Sequence, residues 1–589
     1  MPRTCHPSHD GQELVAGRRT ENDSVDRPPS TYGLLIAVVL ALVIRVAYVA
    51  DTRDVPTLDP PIGDAAAYVD WAKRIAAGDW IGSEPFYQAP LYPYVLAITF
   101  RVWGDSVEYI RWMQCALGAA AAGLLGIAAT WFFDKRIGIG ASLLLAVYPT
   151  AVYFDGLVQK ASLTNFLVCA LLASMGWWRA RSGWVAAWCC GFALGLLILT
   201  RENALIWLPI PLIAFLWTGG LSPQWSRIPM VLAYLIGAAL VLVPVGMCNR
   251  TVGGEWSLST FQAGPNFFIG NGPDADGRYR PLVPGHETPE HERTDAVSLA
   301  DSALGRPLTS REVSQYWFRK SVDEILAHPG RWMRLLGYKV LLTGNHYEIA
   351  DVESECVYAK SSGVFDLARR FWHFGVLCPL AVFGFFGTWG WRNRLWPLHA
   401  MILTGIAAVA AFYVLGRYRF PIIPLMMPFA AAGILAVRNV GSIRPRLRLL
   451  MGLGAAVVAA VGSNISIQDE ERLDALAWMN AGAAVAKTGD VESAIGYFQT
   501  ALRLHSESAE AHNNIAMALA LDGRFDQAVA HYERAIALQP ILVGTHYNLA
   551  VALERIGRTE NALAHYRAAV AQDPDDAEAR AAVERLRTP

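Results

Sequence analysis

None of the eight cysteines stands in a C-x-x-C pair, and most lie in apolar runs, where a thiol behaves as a small hydrophobe. That spacing excludes a zinc or dithiol motif and offers no disulfide framework. Charge is scarce too: 17% of residues are Asp, Glu, Lys or Arg, and the formal net charge is −1. A polyanion binder carries a basic surplus or stripe, so no nucleic-acid partner is expected. No small-residue cleavage site follows the first apolar run, which is therefore expected to be retained as a membrane helix behind a polar cytoplasmic tail at 1–31.

What the chain has in plenty is apolar sequence. A hydrophobic fraction of 53% and a mean hydropathy of +0.28 exceed what a soluble chain of 589 residues carries. Runs able to cross a hydrocarbon core of ~30 Å occur at 32–50, 107–133, 137–154, 157–178, 184–200, 203–219, 228–248, 369–390, 396–415, 420–437 and 447–465. The expected fold class is thus all-α, with about eleven spans. Lys135 with Arg136, Arg179 with Arg181, Arg227, Arg392 with Arg394, and Arg438 with Arg444, Arg446 and Arg448 fall at alternate helix ends. The positive-inside bias makes those ends cytoplasmic. The membrane domain, 32–466, then has its N-terminus inside and long outer loops at 51–106 and 249–368, and everything after 466 is outside, on the periplasmic face of a bacterial inner membrane. Segments 65–77 and 90–103 are short and amphipathic, which suits helices lying in the interface.

From about residue 475 the sequence repeats every 34 positions: Ala494, Ala528 and Ala562; Phe498, Tyr532 and Tyr566; Ala501, Ala535 and Ala569; Gly489, Gly523 and Gly557. This is the tetratricopeptide period, and it predicts a soluble α-solenoid over 475–589 of three helix pairs and a terminal helix. Small alanines let paired helices approach, and Pro540 and Pro574 stop the second helix of a unit. The first unit departs from the pattern, with Ser506 in place of proline and Val485 at a usually larger position. On the inner helices His512, Asn513, His546 and Tyr547 stand at repeat position 4 or 5, where they can hold an extended peptide in a groove.

Chemistry is expected in the outer loops. GDAAAYVDWA places Asp64 at the start of an interfacial helix, where a carboxylate suits the N-cap and the helix dipole whatever else it does. APLYPYVLAITFRVWG at 89–104, GLLILTREN at 195–203, GPNFFIGNGPDADGRY at 264–279 and GRYRFPIIPL at 416–425 follow in order. With these strings the chain resembles the GT-C glycosyltransferases, and more closely the family of protein O-mannosyltransferases, aminoarabinose transferases and RgtA/B/C/D-like enzymes. The resemblance implies that Asp64, in the first outer loop, is the catalytic acid residue, and that basic residues at the places of Arg201, Arg417 and Arg419 contact a lipid phosphate. It also implies an inverting transfer in one displacement. Transmembrane O-mannosyltransferases of eukaryotes that end in tetratricopeptide repeats share this domain order, which points the acceptor towards protein.

The residues make the same chemistry possible on their own. Sugar transfer from a polyprenyl phosphate needs a base for the acceptor hydroxyl and cations for the departing phosphate. Asp64 is the expected base, and Asp155, read as lying at the outer surface, is a second candidate acid. Arg201, Arg417 and Arg419 run against the positive-inside bias; they either snorkel to headgroups or fork onto phosphate. Arg45, inside the first span, either snorkels or pairs with an acid. Where many relatives place an acid, this chain has Lys160. Asn266, His346 and Glu348 are candidates for lining the acceptor site. Asp274-x-Asp276 could ligate a hard cation but reads better as a turn, so no metal and no cofactor are expected. The expected partners are membrane lipid, a polyprenyl-phosphate sugar as donor, a protein or envelope-glycan acceptor, and a protein on the repeat groove. Two other readings compete: a non-enzymatic scaffold that recruits partners through its repeats, for which about eleven spans are excessive, and a polysaccharide polymerase or ligase acting on a diphosphate-linked glycan.

Overall fold

The computed structural model describes residues 31–59, 61–217, 227–284, 286, 289–437, 446–542 and 544–587. The expected tail, Thr31 apart, and the basic residues Arg438 and Arg444 lie outside these. The described residues form helices and no strand, and the chain divides into two compact units.

The first unit comprises the described residues of 31–52, 63–348 and 367–465. Eight helices are long and apolar enough to cross a membrane, and a ninth span results if Lys135–Ala146 and Pro149–Gly156, bent by 52°, count as one. The bend falls at Pro149, which lacks an N–H and drives Tyr148 out of helical geometry (φ −75°, ψ 114°). The two remaining expected spans are the shorter apolar helices Trp184–Ile198 and Glu202–Trp217. All eleven expected segments are thus helical among the described residues, eight or nine of them long and apolar enough to cross a membrane and two shorter. Ala161–Arg181 and Gly416–Ala436 are each 78% buried and form the centre, whereas Leu447–Asn464 is only 11% buried and presents an apolar face outward, as a lipid-facing helix must. Glycine permits close approach: a Cβ at Gly191 would land on the Tyr234 carbonyl, so Trp184–Ile198 and Ile228–Gly253 pack backbone to backbone. The amphipathic loop helices form at Asp64–Ala77 and Leu91–Trp103.

The second unit comprises 53–62, 349–366 and 466–589. Helix pairs Glu470–Lys487 with Val491–Leu504, Ala509–Leu521 with Phe525–Leu538, and Thr545–Arg555 with Thr559–Gln572 precede the last helix, Ala577–Arg587. Ala494, Ala528 and Ala562 are fully buried, and Phe498, Tyr532 and Tyr566 fill the gaps between the paired helices. Gly489, Gly523 and Gly557 adopt φ of 87°, 77° and 80° in the turns, a region side chains avoid. Two pieces of the loops flanking the membrane helices thus fold with the repeats, which the 34-residue period could not show.

Candidate active site

Helix Asp64–Ala77 starts directly after Gly63, whose φ of 56° turns the chain so that Asp64 stands in the first helical turn. Its carboxylate accepts from Arg417 Nη1 at 2.5 Å, with the two side chains 14% and 10% exposed. Burial alone would raise the Asp64 pKa. The charge and hydrogen bond of Arg417, the charge of Lys160 and a hydrogen bond from Gln88 outweigh that and hold the carboxyl below its usual range. Asp64 is therefore ionised at neutral pH.

Three cations meet near this carboxylate. Tyr418 lies between two of them, with the Arg201 guanidinium 5.0 Å and that of Arg417 5.4 Å from its ring centre. Lys160 Nζ sits 5.9 Å from the Tyr68 ring centre, and Tyr68 packs edge-on against Tyr92. Lys160 stands one residue before the span Ala161–Arg181, and Arg201 one before the apolar stretch Glu202–Trp217. Burial is the chief cause that lowers Lys160 to about 8, with Arg201 and Arg417 pushing the same way and Glu202 and Asp64 against. Burial and then Arg417 lower Arg201 to about 10. Cations that depress one another in this way are short of negative charge. Arg201 is buried, and its Nε and Nη2 make no hydrogen bond.

A cavity of about 540 Å³ opens on this cluster, lined among others by Lys160, Arg201, Glu202, Asn266, Tyr413 and Tyr418. Glu202 accepts from Thr260 at 2.8 Å and Gln262 at 3.0 Å, and Asn266 accepts from the Tyr413 hydroxyl at 3.1 Å. A second cavity, of about 280 Å³, is lined by Trp71, Arg74, Glu84, Tyr87, Gln88 and Arg293. Gln88 is in its wall and also bonds Asp64.

The other sequence candidates go elsewhere. Asp155, expected at a surface, is wholly buried in the bent span, held by Arg45 Nε at 2.6 Å and Ser162 Oγ at 2.5 Å. Arg45 needs a counter-charge in a low-dielectric interior and also donates to the Ala41 and Ala146 carbonyls. Asp155 therefore serves Arg45, and none of its bonded partners is shared with Asp64. Arg419 is buried, pairs with Glu348 at 2.5 Å and donates to the carbonyls of Thr343 and Asn345. The backbone N–H of His346 bonds Ser463, and its ring packs near that of His373. Arg419, Glu348 and His346 thus pin the end of the second loop instead of joining the cation cluster. Asp276 is held by Arg278 and Arg280 in a salt-bridged turn.

Within the repeats, His512 Nδ1 faces His531 Nδ1 at 3.1 Å and His546 Nδ1 faces His565 Nδ1 at 2.9 Å, so these histidines are engaged inside their own helix pairs. Asn513 accepts from Thr545 at 3.1 Å, and Tyr547 packs edge-on against Tyr566. Sequence reasoning missed Glu202, Tyr68, Gln88 and Tyr418, and saw Lys160 only as a departure. The signal was adjacency: Glu202 follows Arg201, Tyr418 separates Arg417 from Arg419, and Tyr68 is one helical turn after Asp64.

Residues 87–247 match the family model of dolichyl-phosphate-mannose-protein mannosyltransferases, and residues 455–509, 479–541 and 522–577 match a tetratricopeptide-repeat model. No curated protein matches the chain. Among solved structures, ArnT of Cupriavidus metallidurans, bound to undecaprenyl phosphate, is 14% identical over 91% of this chain and 80% of that one, with a TM-score of 0.40. The Archaeoglobus fulgidus oligosaccharyltransferase is 15% identical over 76% of this chain, with a TM-score of 0.40, and the chain spans 55% of its length. The chain is also similar to MamA, at 19% identity over 25% of this chain and 82% of that one, with a TM-score of 0.19.

Proposed function

We propose that this chain, in which a GT-C-type membrane glycosyltransferase domain precedes a tetratricopeptide array, transfers a sugar from a polyprenyl-phosphate donor to an acceptor hydroxyl. The observation that carries this reading is the charge balance of the cavity wall. Lys160 and Arg201 stand against the one carboxylate of Glu202, and the Asp64–Arg417 pair beside them is balanced in itself, leaving one positive charge in excess. A lipid phosphodiester brings one negative charge and matches it. A diphosphate-linked glycan brings two, which argues against the polymerase or ligase reading, and an inert anchor has no use for buried cations around a cavity.

The transfer is a single displacement with inversion. The acceptor oxygen bonds the anomeric carbon, its proton passes to Asp64, and the bond from that carbon to the phosphate oxygen breaks with its electron pair left on the phosphate. Arg201, Lys160 and Arg417 hold the departing anion. An arriving phosphate competes for Arg417, and as it draws that guanidinium away the Asp64 carboxylate becomes more basic and free to take the proton. No diphosphate has to be neutralised, so transfer proceeds without a metal and persists in EDTA. The acceptor side is the outer face. Segments 53–62, 349–366 and 466–589 form one unit and so share a side of the membrane, in support of the side the basic residues assign them. The acceptor is a protein or envelope glycan presented by the repeats.

The test is transfer by the purified full chain in lipid nanodiscs, offered monophosphate-linked and diphosphate-linked polyprenyl sugars, with Asp64→Asn beside it. Turnover of monophosphate donors and a loss of at least about 100-fold in Asp64→Asn are expected. Use of diphosphate donors alone, or near-normal turnover by Asp64→Asn, overturns the assignment.

A further inference from the structure

The stretch that leads into Asp64 folds with the repeats. Segment 53–62 ends immediately before Gly63 and shares the second unit with 349–366 and 466–589. Inside that unit the Thr57 hydroxyl bonds the Tyr358 hydroxyl at 3.0 Å, and Tyr358 donates to Glu353 at 2.6 Å; Thr57 and Tyr358 are 4% and 1% exposed. Two residues on, Lys360 Nζ stands 5.6 Å from the Trp478 ring centre and 5.2 Å from that of Tyr497, one ring from each helix of the first repeat. Trp478 and Tyr497 face each other with centres 5.6 Å apart. One and two repeat periods later the same two places hold His512 with His531 and His546 with His565. Ring pairs therefore recur along the array, and the first, the one made of a Trp and a Tyr, seats a lysine from the loop between membrane helices.

Resting on the reading of Asp64 as the base, we propose that Lys360, Tyr358 and Thr57 are positioning residues for the transfer. They clamp 349–366 to the first repeat and 53–62 to 349–366, and so fix the tether from which the Asp64 helix starts. The first repeat is then part of the machinery that places the carboxylate, in addition to any role in presenting an acceptor. A base displaced by about 1 Å loses rate on the order of 100-fold, so a partial release should show in turnover.

The experiment compares Lys360→Met, Lys360→Arg and Thr57→Val with the parent full chain in nanodiscs, with hydrogen exchange of 53–62 and the pH profile of kcat as readouts. In Lys360→Met the amides of 53–62 should exchange faster and kcat should fall about tenfold with donor KM within about twofold of the parent. The acid limb of kcat should move to higher pH, because a loosened Asp64 gains less from Arg417. Lys360→Arg should restore most of this, since a guanidinium also seats on the two rings. Thr57→Val leaves the first repeat intact and should repeat the effect in milder form, which covers the case in which Lys360→Met fails to fold. Unchanged exchange at 53–62, or an acid limb that does not move when kcat falls, overturns the proposal. If the parent chain transfers no sugar from any polyprenyl phosphate while exchange responds as expected, it is the transferase reading that falls and the clamp that stands.

Discussion

Breaking the pair between Arg45 and Asp155 leaves a buried unpaired charge, which costs about 3–5 kcal/mol. Asp155→Asn should therefore lower the yield and melting temperature of the membrane domain, while the folded fraction keeps its turnover, a combination that separates it from Asp64→Asn in one assay. Lys160 gives a pH signature. Burial lowers Lys160 to about 8, below Arg201 at about 10. Donor kcat/KM should thus fall as pH rises through about 8, and Lys160→Arg should move that limb upward; a limb at the same pH in Lys160→Arg would assign it to another group. Asp64 and Arg417 were legible separately, one as an acid at a helix start and the other as an arginine on the unexpected side of the membrane, and the structure pairs them across 353 positions. That Arg45 needed a partner was equally readable. That the partner is Asp155, 110 positions away, was not, because the bend at Pro149 carries Asp155 inward from the surface where it was expected.

At the scale of elements, apolar runs located the long apolar helices among the described residues. Between Trp184–Ile198 and Glu202–Trp217 the helix is interrupted at Arg201, and Arg201 and Glu202 line the cavity there. The 34-residue period located the repeats but not the histidine pairs, in which His512 and His546 meet His531 and His565 on the second helix of their own unit. That placement has a consequence for stability. Burial is the chief cause that lowers the pKa of His512, His531, His546 and His565 below the ordinary 6.5. As pH falls, the unfolded chain takes up these protons before the folded one, so the stability they contribute is present above about 6.5 and lost as pH falls from there through the folded values. The repeats should melt at a lower temperature at pH 5 than at pH 7.5, and replacing His531 and His565 by Asn should flatten the difference. Because these side chains are half-exposed, the effect should be a shift of a few degrees, followed by hydrogen exchange of 509–572 in the full chain.

For the whole molecule, the domain boundary is what changes the functional expectation. Read from sequence, the array is a separate receptor beyond the last span, and removing it should raise the acceptor KM with little effect on saturated turnover, because tethering acts through effective concentration. The structure gives residues 466–589 a second task. Segments 53–62 and 349–366 bury Val55, Thr57, Leu58, Val357 and Tyr358 within the same unit, so a chain ending after Leu447–Asn464 leaves both segments without the surface they fold on. Deleting 466–589 should therefore lower kcat at saturating acceptor by about tenfold or more, in addition to raising the acceptor KM, while donor binding at Arg201 and Lys160 changes little because those residues belong to the first unit. Replacing only the second and third repeats, with the first pair Glu470–Lys487 and Val491–Leu504 kept and capped by Ala577–Arg587, separates the two tasks. That variant should keep its turnover and lose acceptor affinity alone. If both truncations raise KM equally and leave kcat untouched, the array is a receptor only, and the loop segments hold Asp64 in place without it.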